Sequence, residues 1–371
     1  MRSMEIINSL EAHDLYILYK SKMYNTISLK QALLGPEHSK HYIRKSKFIK
    51  IIQSLFFPDY HIFTYLYCYF KYRSIVKNCQ LILSISNPWS AHLLASKLSK
   101  SNPNLKWIMD IGDLYWENPH TLTRNGIWKN KGKQWENQLV KSANAIITNS
   151  QNIIDYYRLE TQDPHSKFNL VYNPVTINVE NIERKNKDNG INLSYIGSTF
   201  DSLRTGISEI ELLSEVILRL IQRDIHIKVK LYGNQSSAVL KMIEKNRNFS
   251  HSKLTLEHEL IDAYSESDIL LNFSNGTYAG LPSKLIEYTF TGLPIINFIS
   301  NKNEASIEFL NEYGNSYFHY DINSMDVESV ISFILSNSKS NFYSAKVQNT
   351  IKDSFKDKIL NLVNSMSNEN E

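Results

Sequence analysis

Two cysteines, Cys68 and Cys79, are too few to frame a chain of 371 residues, and neither has the His or Cys spacing of a zinc site. A disulfide scaffold is excluded, and a reducing compartment is expected. The N-terminus, MRSMEIINSLEAHDLYILYK, lacks an apolar core followed by a small-residue cleavage site and carries acids instead. It does not read as a secretory signal, so a cytoplasmic location is expected. An uninterrupted apolar run is missing too: residues 51–70 come nearest, but Gln53, Pro58, Asp59 and His61 break them, and a membrane span needs about 20 mostly apolar residues. Nor does one sign of charge dominate, since the formal net charge is only +4, which excludes a nucleic-acid-coating protein. There is no tandem repeat and no low-complexity tract.

What is present belongs to an ordinary folded protein. Hydrophobic residues make up 42% and charged residues 21% of the chain, and its length exceeds one core, so two domains are expected. The basic residues are unevenly spread. Lys40, Arg44, Lys45, Lys47, Lys50, Lys71, Arg73 and Lys77 face the single acid Asp59 within residues 38–77. In the same region Phe48, Ile51, Ile52, Leu55 and Phe56 fall at helical spacing, with Lys47 and Lys50 off that face. Such a helix either lies on an anionic membrane surface or packs in the first domain with a solvated charged face.

From Gln80 onward short apolar runs alternate with amphipathic ones, the pattern of parallel strands joined by crossover helices. Residues 81–86, 106–111, 145–150 and 168–173 read as strands of a first sheet; 191–197, 225–233, 253–258, 268–274 and 294–298 read as strands of a second. NPWSAHLLASKLSK reads as a helix capped by Asn87 with Pro88 in its first position. Residues 176–190 lose apolar periodicity and read as a linker. The resulting division is a first domain over 1–175, a second over 191–340, and a C-terminal helical segment over 341–371 that returns to the first domain. Residues 1–35 offer only weak strand candidates such as DLYILY at 14–19, so the first unit reads as degenerate or truncated. Two doubly wound, Rossmann-like α/β domains bind ligands at the carboxyl ends of their strands, which makes the cleft between them the expected site.

The stretch TYAGLPSKLIEYTFTGLPIINF, residues 277–298, stands at such a strand end. A glycine-bearing loop, with Gly276 and Gly280, leads into a helix starting at Pro282; a helix N-terminus presents free N–H groups and a positive dipole end to an anion. Lys284 adds a full charge, and Glu287 follows close to one turn later. A phosphate and a sugar hydroxyl one turn apart describe a nucleotide, while a helix cap with a surface ion pair is the plainer alternative. Asp110 and Asp113, at the end of another strand in DIGDLYW, are not accompanied by anything else dedicated to a metal.

The segment AGLPSKLIEYTFTGLPII closely resembles the donor-binding segment of GT-B glycosyltransferases, in particular the family-four-like enzymes of bacterial surface polysaccharide and lipopolysaccharide assembly. LILSISNPWSAHLLASKLSKSNPNLKWIMDIGDLYWENP, WENQLVKSANAIITNSQNIIDYY and LSYIGSTFDSLRTG resemble other segments of the family in the same order, over roughly residues 55 to 300. The resemblance implies a GT-B fold and the transfer of a sugar, with retention, from a nucleotide-sugar donor, UDP-linked, to a glycan or lipid-linked acceptor at the inner membrane surface. It implies no metal and no further cofactor. It also implies that Glu287 bonds the ribose, that Gly280, Ser283 and Lys284 hold the diphosphate, and that Gly197, Ser198 and Arg204 belong to the phosphate-facing loop of the second domain. Asp113 is expected on the acceptor side as a proton acceptor, with loop capping as its alternative, and His92 is carried over as a catalytic candidate. Trp89 and Trp116 either stack on sugars or pack. Many relatives have a glutamate eight residues before the ribose-binding one, where this chain has Ala279. A nucleotide-sugar 2-epimerase of the same fold and a catalytically degenerate scaffold subunit are the rival readings.

Overall fold

The computed structural model describes residues 17–19, 22–24, 56–59, 61–86, 88–118, 131–163, 167–175, 182, 190–200, 205–254, 257–274, 279–320, 326–338, 351 and 355–368. The helical pattern at 48–55, Asn87, Arg204, Gly276 and most of the expected linker lie outside these residues. The chain divides into two compact units: residues 1–172 together with 353–371, and residues 173–352.

In the first unit, β1 (Ile17–Tyr19) and β2 (Lys22–Tyr24) pair only with each other, as an antiparallel ribbon. DLYILY therefore does not open the parallel sheet. That sheet begins after α1 (Ile62–Val76) and runs in chain order: β3 (Leu81–Ile85), β4 (Lys106–Ile111), β5 (Ala145–Thr148) and β6 (Phe168–Leu170), all parallel. The crossovers are α2 (Ser90–Ser101), α3 (Gly132–Ser142) and α4 (Gln151–Thr161). The acid that breaks the apolar run at residues 51–70 has a structural reason. Asp59 accepts from the backbone N of Ser90 at 2.9 Å and from Ser90 Oγ at 2.7 Å, so it caps α2 across 31 residues of sequence. Trp89, not Pro88, precedes the first helical residue.

The second unit begins at β7 (Gly190–Ile196) and continues through α5 (Ile207–Ile221), β8 (His226–Tyr232), α6 (Ser237–Ile243), β9 (Phe249–Ser252), α7 (Glu257–Ser265) and β10 (Ile269–Asn272). It then runs through α8 (Ser283–Thr291), β11 (Ile295–Ile299), α9 (Ala305–Tyr313), β12 (Ser316–Tyr320) and α10 (Val327–Asn337). The six strands are parallel in the order β12-β11-β10-β7-β8-β9. The core is continuous: Leu213, Val216 and Leu220 of α5 are buried against Val229, Leu231, Ile269 and Leu271 of the sheet. Full burial of each such side chain contributes about 1.5–3 kcal/mol. The strand expected at 253–258 lies at 249–252 instead, and β12 is an element that periodicity did not mark. Both are edge strands, and β9 needs only Phe249 in the core, so its Ser-His-Ser remainder carries no apolar signal.

The last helix, α11 (Phe355–Asn368), belongs to the first unit. Phe355, Ile359 and Val363, at helical spacing, pack with Ile108, Ala145 and Ile147 and cover one face of the first sheet.

Candidate functional site

Strand order in the second sheet reverses between β7 and β10: from β7 the chain moves outward to β8 and β9, then returns to place β10 on the other side. The carboxyl ends of two strands that part in this way form the crevice in which open α/β sheets hold ligands. α8 is fastened there by Tyr288, whose hydroxyl accepts from the backbone N of Ile196 at 2.9 Å and lies 3.3 Å from the Leu271 carbonyl. One phenol thus joins β7, β10 and the helix.

Residues after β7 are held with little freedom. Tyr195 Oη donates to the Ser198 carbonyl at 2.9 Å, and its ring stacks on Phe273 with centroids 4.0 Å apart. Gln235 Nε2 donates to the Gly197 carbonyl at 2.9 Å, and Ser236 N donates to Thr199 Oγ1 at 2.8 Å, stitching this loop to the one after β8. Gly233 in that second loop has φ +98°, and a Cβ there would stand 2.6 Å from the Gly197 carbonyl oxygen, so only glycine fits.

Lys284 reaches into this frame. Its Nζ is buried, stands 4.0 Å from the Tyr195 ring centroid, and lies 3.3 Å from where a Cβ on Gly197 would be. A cation over a desolvated aromatic face gains about 2 kcal/mol, which helps to hold an ammonium away from bulk water. The helix begins at Ser283, with Pro282, which has no side-chain hydrogen-bonding group, one residue before the first helical position. The positive end of the helix dipole and the Lys284 charge together suit an anion. Glu287 accepts from Tyr264 Oη at 3.4 Å; burial raises the Tyr264 pKa well above its ordinary value, so this phenol stays a donor. Ala279 is buried, Gly280 is half-buried and Ser283 is exposed. The structure therefore gathers Gly197, Ser198 and Lys284 at one strand end, with Gly280, Ser283 and Glu287 on α8 or in its lead.

The first unit has its own polar strand edge. Asp110 is buried at the end of β4, while Asp113 keeps open surface; the protein around its carboxyl raises its pKa to about 6 through desolvation. Beside it, by the pairing of Ile111 with Thr148, comes the end of β5. There Thr148 Oγ1, Asn149 Oδ1 and Ser150 Oγ are buried with no hydrogen-bond partner among the described residues. These three side chains were missed by sequence reasoning, because a strand tail before a helix reads as an ordinary cap.

His92 stands elsewhere. It is 0% exposed, its Nδ1 is hydrogen-bonded to Ser84 Oγ at 2.8 Å, and Trp107 Nε1 donates to the same oxygen at 2.7 Å. Burial pushes its pKa down to about 3, so it is a neutral core imidazole. Trp89 and Trp116 are buried as well, and Trp116 lies against Gly132. A further residue that sequence reasoning missed is Glu136, fully buried, whose pKa burial lifts to about 7 against three hydrogen bonds that favour its charged form. Among the described residues no group of three or more His, Cys, Asp or Glu side chains could hold a metal ion, and no helix is long and apolar enough to cross a membrane.

No protein-family model and no curated protein sequence matches the chain. Solved structures do. A sucrose-phosphate synthase from Thermosynechococcus elongatus superposes with a TM-score of 0.62 at 11% identity, over 84% of this chain and 79% of that one. HepE of Anabaena, solved with UDP-glucose, gives 0.59 at 12% identity over 80% and 82%. The lipopolysaccharide outer core galactosyltransferase WaaB, in its apo form, gives 0.55 at 14% identity over 81% and 80%. The chain has the GT-B fold of these glycosyltransferases, two Rossmann-like units in sequence.

Proposed function

We propose that this chain is a glycosyltransferase that moves a sugar from a nucleotide-sugar donor, UDP-linked, to a glycan or lipid-linked glycan, with retention of anomeric configuration. The observation that carries this reading is the buried Lys284 ammonium at the N-terminus of α8, set where strand order reverses. Charge develops on the diphosphate as the glycosidic bond to it breaks, and fixed donors aimed at that charge lower the barrier. Lys284, Ser283, Gly280 and the helix N–H groups would hold the phosphates, with Gly197 and Ser198 as the facing loop and Arg204 as a further cation. Glu287, which accepts from Tyr264 through Oε2, would bind the ribose hydroxyls. Asp113, exposed just beyond the end of β4, would take the proton of the acceptor hydroxyl. His92, sealed in the core, is left out of the reacting set.

A thermal-shift screen of nucleoside diphosphates tests the reading. A ligand bound only by the folded state at 100 times its Kd adds about 2.7 kcal/mol of apparent stability. UDP is expected to shift the unfolding temperature; no response to any nucleoside diphosphate would sink the proposal.

The lipid-linked acceptor is favoured by a separate feature. On α1, Phe63, Tyr67 and Phe70 are 61%, 55% and 67% exposed and form one stripe, with Lys71, Arg73 and Lys77 exposed beside them. Aromatic and basic side chains together suit an anionic bilayer surface, each cation contributing about 1 kcal/mol. Co-sedimentation with phosphatidylglycerol vesicles at low salt, released by salt, is the expected result; no binding at low salt would remove the membrane role.

A further inference from the structure

We propose that Glu136 is a positioning residue that fixes the Asp113 loop for glycosyl transfer, an inference that rests on the role assigned above to Asp113. The loop after β4 would otherwise be an ordinary strand-to-helix connection. Instead its backbone is gripped from α3: Glu136 Oε1 accepts from Tyr115 N at 2.7 Å, and Oε2 accepts from Trp116 N at 3.0 Å. Tyr157 of α4 donates to Oε1 at 2.6 Å and so fixes the carboxylate itself. The grip extends to side chains. The Trp116 ring lies on Gly132 one turn before Glu136, so closely that a Cβ on Gly132 would be 2.2 Å from Trp116 Cζ3. Tyr115 Oη donates to the Pro58 carbonyl at 2.7 Å.

A carboxylate that is 0% exposed, bonded by neutral donors and by none of the cations of the chain in these bonds, is an expensive way to fill space. Apolar side chains of similar volume would pack as well. What they could not do is bind two consecutive backbone N–H groups, and that fixes the direction in which the chain leaves β4. Asp113 lies two residues before the first of those amides, so its position is set by this clamp. Misplacement of a reacting group by about 1 Å costs on the order of 100-fold in rate.

The test uses Glu136→Gln, whose amide nitrogen would face the Trp116 N–H donor to donor, with Tyr157→Phe and Asp113→Asn alongside. The readouts are hydrogen exchange of the peptide spanning residues 112–118, UDP affinity by calorimetry, and UDP release from UDP-glucose as the donor probe. In E136Q, exchange in 112–118 should accelerate and turnover fall about 10- to 100-fold, while UDP affinity stays within about two-fold. Y157F keeps both backbone bonds but loses the donor that holds the carboxylate, and should fall between wild type and E136Q in exchange and turnover. Lost turnover in D113N beside unchanged turnover in E136Q overturns the positioning role and leaves the transferase reading intact. Unchanged turnover in D113N fails the Asp113 role, and the inference with it. If E136Q does not fold, the wild type decides: fast, unprotected exchange of the Tyr115 and Trp116 amides overturns the clamp.

Discussion

Replacing Lys284 with methionine isolates the charge at the proposed donor site. The lysine Nζ lies beside Gly197 and 4.0 Å from the Tyr195 ring centroid. Methionine is unbranched and flexible enough to occupy the same space. A charge-assisted hydrogen bond to a phosphate is worth about 1.5–3 kcal/mol. Each 1.4 kcal/mol is a factor of ten, so UDP affinity should fall roughly 10- to 150-fold. Stability should move little, because the lost cation–π attraction of about 2 kcal/mol is offset by no longer holding an ammonium away from water. Calorimetric titration of wild type and K284M with UDP at one ionic strength measures the first effect, and thermal unfolding without ligand measures the second. Equal UDP affinity in a folded K284M would refute the assignment and leave the helix start as a cap.

Three other outcomes are expected. Asp113→Asn should lower kcat and kcat/KM together with UDP affinity unchanged, the signature of an interaction made mainly in the transition state; a rise in KM alone would place Asp113 in uniform binding instead. Gly233→Ala should destabilise by about 1–3 kcal/mol, since its Cβ would meet the Gly197 carbonyl at 2.6 Å in a backbone region closed to side chains; an unchanged urea midpoint would contradict this. Burial raises the Glu136 pKa from 4.5 to about 7, so the folded state holds this proton more tightly than the unfolded one. The group's contribution to stability is fullest below pH 4.5 and declines as pH rises through 7, by on the order of 3 kcal/mol. E136Q should flatten the slope between pH 5 and pH 8 in urea unfolding, and an unchanged slope would show that another group carries it.

The central strands were legible because both faces of a buried parallel strand must be apolar. KWIMDI, AIIT and IINFI stand out from any neighbouring helix. Edge strands lose that signal, which is why β9 was misplaced and β12 passed unmarked. Of the site, the α8 segment was readable because its glycine, serine, lysine and glutamate are contiguous and their chemistry follows from a helix start. Asp59 and Glu136 were not. Each acts on backbone N–H groups 20 or more residues away, and nothing local distinguishes such an acid from a solvated one. His92 misled for the converse reason: a histidine on an amphipathic helix looks alike whether it faces solvent or, as here, a serine and tryptophan in the core.

The placement of α11 bears on how the chain is made. The second unit is continuous in sequence and can fold as soon as residue 352 has been synthesised. The first unit begins earlier but finishes later, because the face formed by Ile108, Ala145 and Ile147 stays uncovered until Phe355, Ile359 and Val363 arrive. Domains commonly fold from the N-terminus during synthesis; here the unit translated first must wait for the last helix. A ribosome that stops short of that helix releases a product with a complete second unit and an apolar sheet face open to water. Such a product is marked for chaperones and proteases by its own exposed core.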